Sequence, residues 1–230
     1  MQDTASLSLM SSIATREALR ELVPAFEKSA GCKVSLGFAG GVDIVRRLRA
    51  GEGGMDVVVL QASAIDEMVQ AGALAAGSRV DIGSSTVGVA VRAGARHPEI
   101  GSAEAVTRAL LAAKSIAISS GPSGVYLLGL FERLGIPREK VIQTKPGAMA
   151  GEAVARGEAE IGFQQLSELL PVKGIDFLGP LPSEIQHRTV FSCGVHAKTA
   201  HPQAARELLK FLASPAAAPV LRAKGLEPVA

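Results

Sequence analysis

The sequence has few aromatic residues: they make up 3% of its 230 residues, and tryptophan is absent. Proteins that bind single-stranded nucleic acid use aromatic side chains as platforms on which bases stack, so this composition argues against such a surface. Charge argues the same way, because 24 basic residues nearly balance 22 acidic ones and the formal net charge is only +2. We therefore expect no nucleic-acid partner, and small molecules are the favoured ligands.

The sequence also lacks the spacing patterns of metal sites and disulfide frameworks. Its two cysteines, Cys32 and Cys193, form no CxxC pair and lie far apart, and its four histidines show no HExxH spacing. We expect two free thiols, no metal site and no cofactor.

Membrane-spanning and secretory segments are missing as well. No apolar run approaches the ~20 residues of a transmembrane helix. The start, MQDTASLSLM, has neither the basic region nor the long apolar region of a secretory signal. We expect no membrane insertion, and a cytoplasmic location if Met1 is the native start.

What the chain does contain is a repeat. Residues 48–60 read LRAGEGGMDVVVL and residues 154–166 read VARGEAEIGFQQL. In each copy a helical segment ends in a glycine, Gly51 or Gly157, since glycine adopts the left-handed closing conformation at little cost, and a buried strand follows. Around both copies short apolar runs alternate with helical patterns, as in α/β proteins. The sequence therefore predicts two similar lobes, each a mostly parallel sheet flanked by helices.

The first helical pattern shows how such a helix packs on its sheet. Leu19, Leu22, Val23 and Phe26 recur at three- and four-residue steps and form one apolar stripe. Thr15 is the predicted cap at its start, and Gly31 closes its end.

The end of the chain indicates a return to the first lobe. A strand, RTVFSCGVHA, is followed by two helical segments that the sequence SPAAAP separates. We predict a discontinuous first lobe, residues 1–84 plus 192–230, and a second lobe of residues 85–191.

Four loops follow predicted strand ends and lead into helices: MSSIATREAL, FAGGVDIV, SSGPSGVYLL and FQQLSELL. Helix starts offer unpaired backbone N–H groups and positive partial charge, so four of them facing one cleft would hold an anion. The alternative is that the serines are helix caps and the glycines form turns; the duplication favours the ligand interpretation. The candidate ligand-binding residues in these loops are Ser11, Ser12, Arg16, Gly40, Gly41, Ser119, Ser123, Gly124, Val125, Tyr126 and Gln165.

Three of these candidates have competing structural roles. Arg16 could contact a carboxylate, or pair with the neighbouring Glu17. The Tyr126 hydroxyl could donate to a ligand, or its ring could pack in the core. Gln165 and its neighbour Gln164 point to opposite faces of a buried strand, so one of the two amides needs a partner in the core or in the cleft.

Catalytic motifs are absent. The sequence GPSGV is not a GxSxG elbow, there is no Walker A loop, and no GxGxxG follows the first strand. No catalytic residue is predicted, and binding without chemistry is the expected activity.

The same segments carry a family resemblance. LMSSIATREALRELVPAFEKSAGCKVSLGFAGGVDIVRRLRAGEGGMDVVVL, SSGPSGVYLLGLFERLGI and ARGEAEIGFQQ resemble type II periplasmic substrate-binding proteins, specifically the molybdate-binding subgroup of ABC importers. The resemblance implies two lobes joined by crossover strands near 84–91 and 187–195, and a periplasmic monomer that delivers a small anion to a permease. It also adds Ala14 to the first binding loop.

The second and last loops depart from the molybdate pattern. Gly40 and Gly41 stand where that subgroup has a serine, and Gln165 replaces its tyrosine. SGVY and GEAEIGFQQLSELLPVKGI are instead similar to a branch that includes aconitate isomerases. We therefore expect a solute-binding protein for a small organic carboxylate held in an interlobe cleft. The alternatives are an isomerase that shifts a double bond in a small tricarboxylate, a molybdate or oxyanion binder, and a cytoplasmic ligand sensor.

Overall fold

The computed structural model describes residues 6–229. The chain divides into two compact units: the first contains the described residues up to Ser84 together with those from Thr189 onward, and the second is Ser85–Arg188. The chain thus returns to the first unit at Thr189, three residues before the predicted position 192. The strand that carries this return already begins at Arg188.

Strands and helices alternate along most of the chain. The strands of the described residues are β1 Ser6–Ser12, β2 Lys33–Ala39, β3 Val57–Gln61, β4 Val80–Arg92, β5 Ile116–Ile118, β6 Val141–Gln143, β7 Ile161–Gln165, β8 Ile175–Pro180 and β9 Arg188–Val195. Their α-helices are α1 Arg16–Ala30, α2 Gly41–Arg49, α3 Ala62–Gln70, α4 Ala103–Ala112, α5 Pro122–Arg133, α6 Ala150–Ala155, α7 Leu166–Leu169, α8 Pro202–Leu212 and α9 Ala218–Ala223. No helix within residues 6–229 has the length and apolar character needed to span a membrane.

In the first unit β1 is the middle strand of a parallel group, with β2 on one side and β3 on the other. The register pairs Ser12 with Ala39 and Ser11 with Val59, so the carboxyl ends of the three strands meet. We call these three strand ends, with the loops that follow them, the first edge. On the other side of β3 lies β9, which is antiparallel to it.

The second unit repeats this plan. Here β5 lies between β6 and β7, and Ile118 pairs with Gln143 of β6 and with Phe163 of β7, all in parallel. We call the carboxyl ends of these three strands, with the loops that follow them, the second edge. Antiparallel strands complete this sheet, because β4 pairs with both β7 and β8.

The apolar stripe of α1 is buried as the periodicity predicts. Leu19, Leu22, Val23 and Phe26 are each at most 3% exposed, and they share a core with side chains of β1, β2 and α8. Burial of each such side chain stabilises the fold by about 1.5–3 kcal/mol. Packing against the sheet therefore holds α1 in place more than its intrinsic helix propensity does.

The predicted end of α1 is confirmed, and the predicted cap at its start is wrong. Gly31 closes the helix in the left-handed conformation, with φ 64°, as expected. The prediction that Thr15 caps the start is wrong: its side chain makes no capping hydrogen bond, and its Oγ1 lies 2.5 Å from Ser11 Oγ. The reason is a 3₁₀ turn, Ile13–Thr15, which leads directly into α1 and holds Thr15 outside the extended conformation that a capping residue adopts.

The repeat seen in the sequence is confirmed in each unit. Gly51 and Gly157 close α2 and α6 with φ values of 69° and 78°, a region that favours glycine. Their N–H groups donate to the carbonyls of Leu48 and Val154 at 3.0 and 2.9 Å. The following strands, β3 and β7, each have five residues, almost all of them buried.

Candidate functional site

The first edge carries three helix starts directly behind its strand ends. Ser12 leads into the 3₁₀ turn before α1, Gly40 is the N-cap of α2, and Gln61 is the N-cap of α3. None of these three residues caps its helix with a side-chain hydrogen bond. Because the backbone N–H groups of a helix start lack intrahelical partners and carry partial positive charge, this edge has the character of an anion-binding surface.

The two serines at the end of β1 differ in their hydrogen bonding. Ser11 Oγ lies 3.0 Å from the carbonyl of Ser12 and 2.5 Å from Thr15 Oγ1, so it is engaged within the fold. Ser12 is 9% exposed, and its Oγ is buried without a hydrogen-bond partner among the described residues. A buried hydroxyl in this state costs about 1–3 kcal/mol, which a hydrogen bond from a ligand atom would offset.

The glycines of the second loop leave room next to the start of α2. Gly40 has ordinary extended angles, φ −62° and ψ 139°, and a Cβ atom there would have no atom of residues 6–229 within 4 Å. A Cβ at Gly41 would meet only Leu60 Cδ2, at 3.6 Å. Neither backbone strain nor packing against the described residues therefore requires a glycine at position 40. The glycine instead leaves open space at the start of α2.

Ala14 and Arg16 lie in the turn that follows Ser12. Ala14 is buried, at 8% exposure, and only its backbone offers hydrogen-bonding groups. Arg16 is the first residue of α1, and its Nε donates to Glu17 Oε1 at 2.8 Å. This local pairing is the alternative that the sequence left open for Arg16.

At the second edge the loop after β5 folds tightly on itself. Ser119 and Ser123 are both buried, with their hydroxyl oxygens 3.1 Å apart. Gly121 is the N-cap of α5. A Cβ on Gly124 would lie 1.7 Å from the carbonyl oxygen of Ser119, a distance that no side chain tolerates. Gly124 is thus required by the close approach of the chain to itself.

The two residues after Gly124 point in different ways. Val125 is 66% exposed on the first turn of α5. Tyr126 donates its hydroxyl proton to the carbonyl of Ile185 at 2.9 Å, and its ring stacks on His187 with centroids 4.5 Å apart. The Tyr126 hydroxyl therefore serves a contact within the second unit.

The adjacent glutamines at the end of β7 have separate roles. Gln164 Oε1 accepts hydrogen bonds from the backbone N–H groups of Ala150 at 2.8 Å and Gly151 at 3.4 Å, so it caps the start of α6 from a neighbouring strand. Gln165 is 3% exposed, pairs in register with Val87 of β4, and is the N-cap of α7. The core partner that one of the two amides needs is thus supplied to Gln164.

Two carboxyl groups with displaced pKa values are held by partners in their own units. A hydrogen bond from Arg79 lowers the pKa of Asp81, and Ser192 Oγ donates to its Oδ1 at 2.6 Å. A hydrogen bond from His97 lowers the pKa of Asp176. Both carboxylates are stabilised in the charged form, which makes them weaker proton acceptors.

Within residues 6–229, no group of three or more His, Cys, Asp and Glu side chains is arranged to hold a metal ion.

Comparison with known proteins decides the family. Residues 7–227 match the model of the bacterial extracellular solute-binding proteins. The chain belongs to this family. A relative from Pseudomonas sp, named aconitate isomerase, is 40% identical over 236 residues, which cover 99% of this chain and 90% of the relative.

Solved structures show which fold this solute-binding protein has. The periplasmic molybdate-binding protein of Azotobacter vinelandii superposes with a TM-score of 0.81 at 18% identity, covering 97% of this chain and 100% of that one. The sulfate-binding protein of Mycobacterium tuberculosis H37Rv gives 0.79 at 19% identity, covering 98% and 87%. Identities this low show the fold alone. They confirm the predicted type II periplasmic-binding-protein fold, which the molybdate-binding protein shares.

Ten of the twelve predicted site residues of this solute-binding protein lie on the two edges, five on each. The other two, Arg16 and Tyr126, make hydrogen bonds to residues of their own units. The first edge has Ser11, Ser12, Ala14, Gly40 and Gly41. The second edge has Ser119, Ser123, Gly124, Val125 and Gln165. Their contact with a ligand remains a prediction.

One polar residue at the first edge was missed by the sequence analysis. Gln61 ends β3 and stands directly before α3. The repeat in the sequence gave no signal for it, because Gln61 lies one residue beyond the first copy and alignment of the closing glycines places Val59 opposite Gln165. The correspondence of Gln61 and Gln165 appears when the ends of β3 and β7 are compared.

Proposed function

We propose that this solute-binding protein captures a small organic anion with several carboxylates, and that aconitate is the first ligand to test. One observation supports the proposal that the ligand is an anion. The hydroxyl of Ser12 is buried and has no hydrogen-bond partner among the described residues, and it lies at the first edge, where three helices begin. The choice of ligand is supported by the 40% identity, over 99% of this chain, with the protein named aconitate isomerase.

The chemistry of the edges favours carboxylates over compact oxyanions. The candidate donors are neutral: serine hydroxyls, a glutamine amide and backbone N–H groups, all of which pair well with carboxylate oxygens. Gly40 leaves space where a larger side chain would narrow the surface. A ligand longer than a tetrahedral oxyanion can use that space.

In this role the protein acts outside the cytoplasmic membrane and hands its ligand to the permease of an ABC importer. It works as a monomer without a cofactor. The family, described as bacterial extracellular solute-binding proteins, supports this assignment.

The name of the Pseudomonas relative favours a second candidate function, isomerisation of the bound acid. In that reaction a base removes a proton from a carbon next to a carboxylate, the double bond shifts, and a proton is delivered to another carbon of the same molecule, so substrate and product have the same composition. Asp81 and Asp176, with their lowered pKa values, are poor candidates for the base.

Incubation of the purified protein with cis- and trans-aconitate separates binding from catalysis. We expect one of these acids to raise the melting temperature, since a ligand at a hundred times its Kd stabilises the native state by about 2.7 kcal/mol. Interconversion of the two isomers, followed by NMR, would establish the isomerase function; stabilisation without interconversion would establish binding alone. A melting-temperature rise with molybdate and with neither acid would refute the carboxylate proposal.

The neighbouring glutamines of β7 provide a matched pair of variants. Gln165→Leu should weaken aconitate binding by about 1–3 kcal/mol if its amide contacts the ligand. Gln164→Leu should instead lower the free energy of unfolding by about 1–3 kcal/mol, because two backbone N–H groups of α6 lose their acceptor. Titration calorimetry and urea denaturation measure the two effects. A Gln165→Leu variant that loses stability and keeps its affinity would make Gln165 a core residue.

A further inference from the structure

The structure extends the repeat beyond the segments that the sequence made obvious. The strands that follow the closing glycines of α2 and α6 both have five residues, and Gln61 ends β3 as Gln165 ends β7. In both strands the residues two and four positions earlier lie in the main core of their unit: Val57 and Val59 in the first, Ile161 and Phe163 in the second. The two glutamines therefore occupy the same position on the same face of equivalent strands.

Their backbone geometry is also the same. Gln61 is the N-cap of α3 with φ −60° and ψ 145°, and Gln165 is the N-cap of α7 with φ −55° and ψ 138°. Both glutamines thus stand at the junction between a strand and the helix that follows it. Neither side chain caps the helix that it precedes.

The amide of Gln61 has donor and acceptor capacity that the fold does not use. Gln61 is partly buried, and within residues 6–229 its side-chain amide makes no hydrogen bond. The first edge also places it near Ser12: β1 and β3 pair Ser11 with Val59, so both strands end within two residues of this pair. Ser12 supplies an independent sign of a ligand here, because its hydroxyl is more than nine-tenths buried and unpartnered.

We propose that Gln61 is a ligand-contacting residue of the first edge, whose amide N–H donates to a carboxylate oxygen of the bound polycarboxylate. This inference rests on the proposed function. A neutral amide suits a carboxylate because its NH₂ group offers two hydrogen-bond donors to carboxylate oxygens.

The test compares Gln61→Leu with Gln70→Leu, the same substitution at the exposed opposite end of α3. We expect Gln61→Leu to raise the Kd for trans-aconitate about tenfold, the loss of one hydrogen bond to a charged group. Gln61→Glu should weaken binding further, because it sets a carboxylate against a carboxylate. Gln70→Leu should bind as the unmodified protein does. Melting temperatures should be alike in all four proteins, since the Gln61 side chain has no hydrogen bond in the fold to lose.

Three results would overturn the inference, and they are distinguishable. If the unmodified protein binds trans-aconitate and Gln61→Leu binds it equally well, the role of Gln61 is refuted and the proposed function stands. If the unmodified protein binds neither aconitate isomer, the proposed function fails and this inference fails with it. A loss of affinity in Gln61→Leu that Gln70→Leu shares would also refute the specific contact.

Discussion

Replacing Gly124 by alanine is expected to distort the start of α5 and to lower the free energy of unfolding by about 3 kcal/mol or more. The added Cβ would lie 1.7 Å from the carbonyl oxygen of Ser119 and 2.8 Å from its carbonyl carbon. Both are backbone atoms, so no side-chain rotation relieves the contact. Relief requires the loop after β5 to move away from α5, which also separates the hydroxyl groups of Ser119 and Ser123, now 3.1 Å apart.

The same helix offers the control. A Cβ on Gly129 would meet only Arg133 Nη1, at 3.7 Å, an ordinary contact with a flexible side chain. Gly129→Ala should therefore stabilise the protein by about 0.5–1 kcal/mol, the usual gain from replacing glycine inside a helix. Chemical denaturation of the two variants measures the difference. Equal stabilities for Gly124→Ala and the unmodified protein would show that the close approach to Ser119 is not a constraint in solution.

The structural role of Gly124 could not be predicted from the sequence. The sequence placed Gly124 among the candidate ligand-binding residues, and it gave no sign that the carbonyl oxygen of Ser119 lies where a Cβ would be. The spacing between two residues in one loop depends on how the loop folds, and no periodicity encodes it. Tyr126 is similar, because its partner, the carbonyl of Ile185, lies 59 residues further along the chain.

Features that depend on local periodicity were predictable. The buried stripe of α1, the closing glycines Gly51 and Gly157, and the buried strands behind them follow from residue spacing and from the conformational freedom of glycine. The capping of α6 by Gln164 could not be predicted, because it joins residues 14 and 13 positions apart across a strand and a helix. Sequence alone could say that one of the two adjacent glutamines needs a partner in the core or in the cleft, and the structure gives Gln164 two partners in α6.

The space beside Gly40 is the part of the candidate site that a mutation can close most directly. Gly40→Val should weaken binding of the polycarboxylate by about 10- to 100-fold, because two methyl groups would occupy the start of α2 where the ligand is proposed to lie. The fold itself should tolerate the change. The backbone angles suit any residue, and a Cβ at this position meets nothing within 4 Å. We expect stability to fall by no more than about 1 kcal/mol, the difference between glycine and valine at an N-cap.

Gly53→Val is the matched control for this variant. Gly53 is an exposed residue in the loop between α2 and β3, and a Cβ there also meets nothing within 4 Å. Titration calorimetry with trans-aconitate should give a normal Kd for Gly53→Val and a weakened one for Gly40→Val, with both proteins folded by circular dichroism. Because the two substitutions add the same side chain at positions where a Cβ meets none of the described atoms within 4 Å, a difference in affinity reports the ligand and not the fold. Unchanged affinity in Gly40→Val would remove the second loop from the site and, with it, the argument that its glycines admit a ligand larger than an oxyanion.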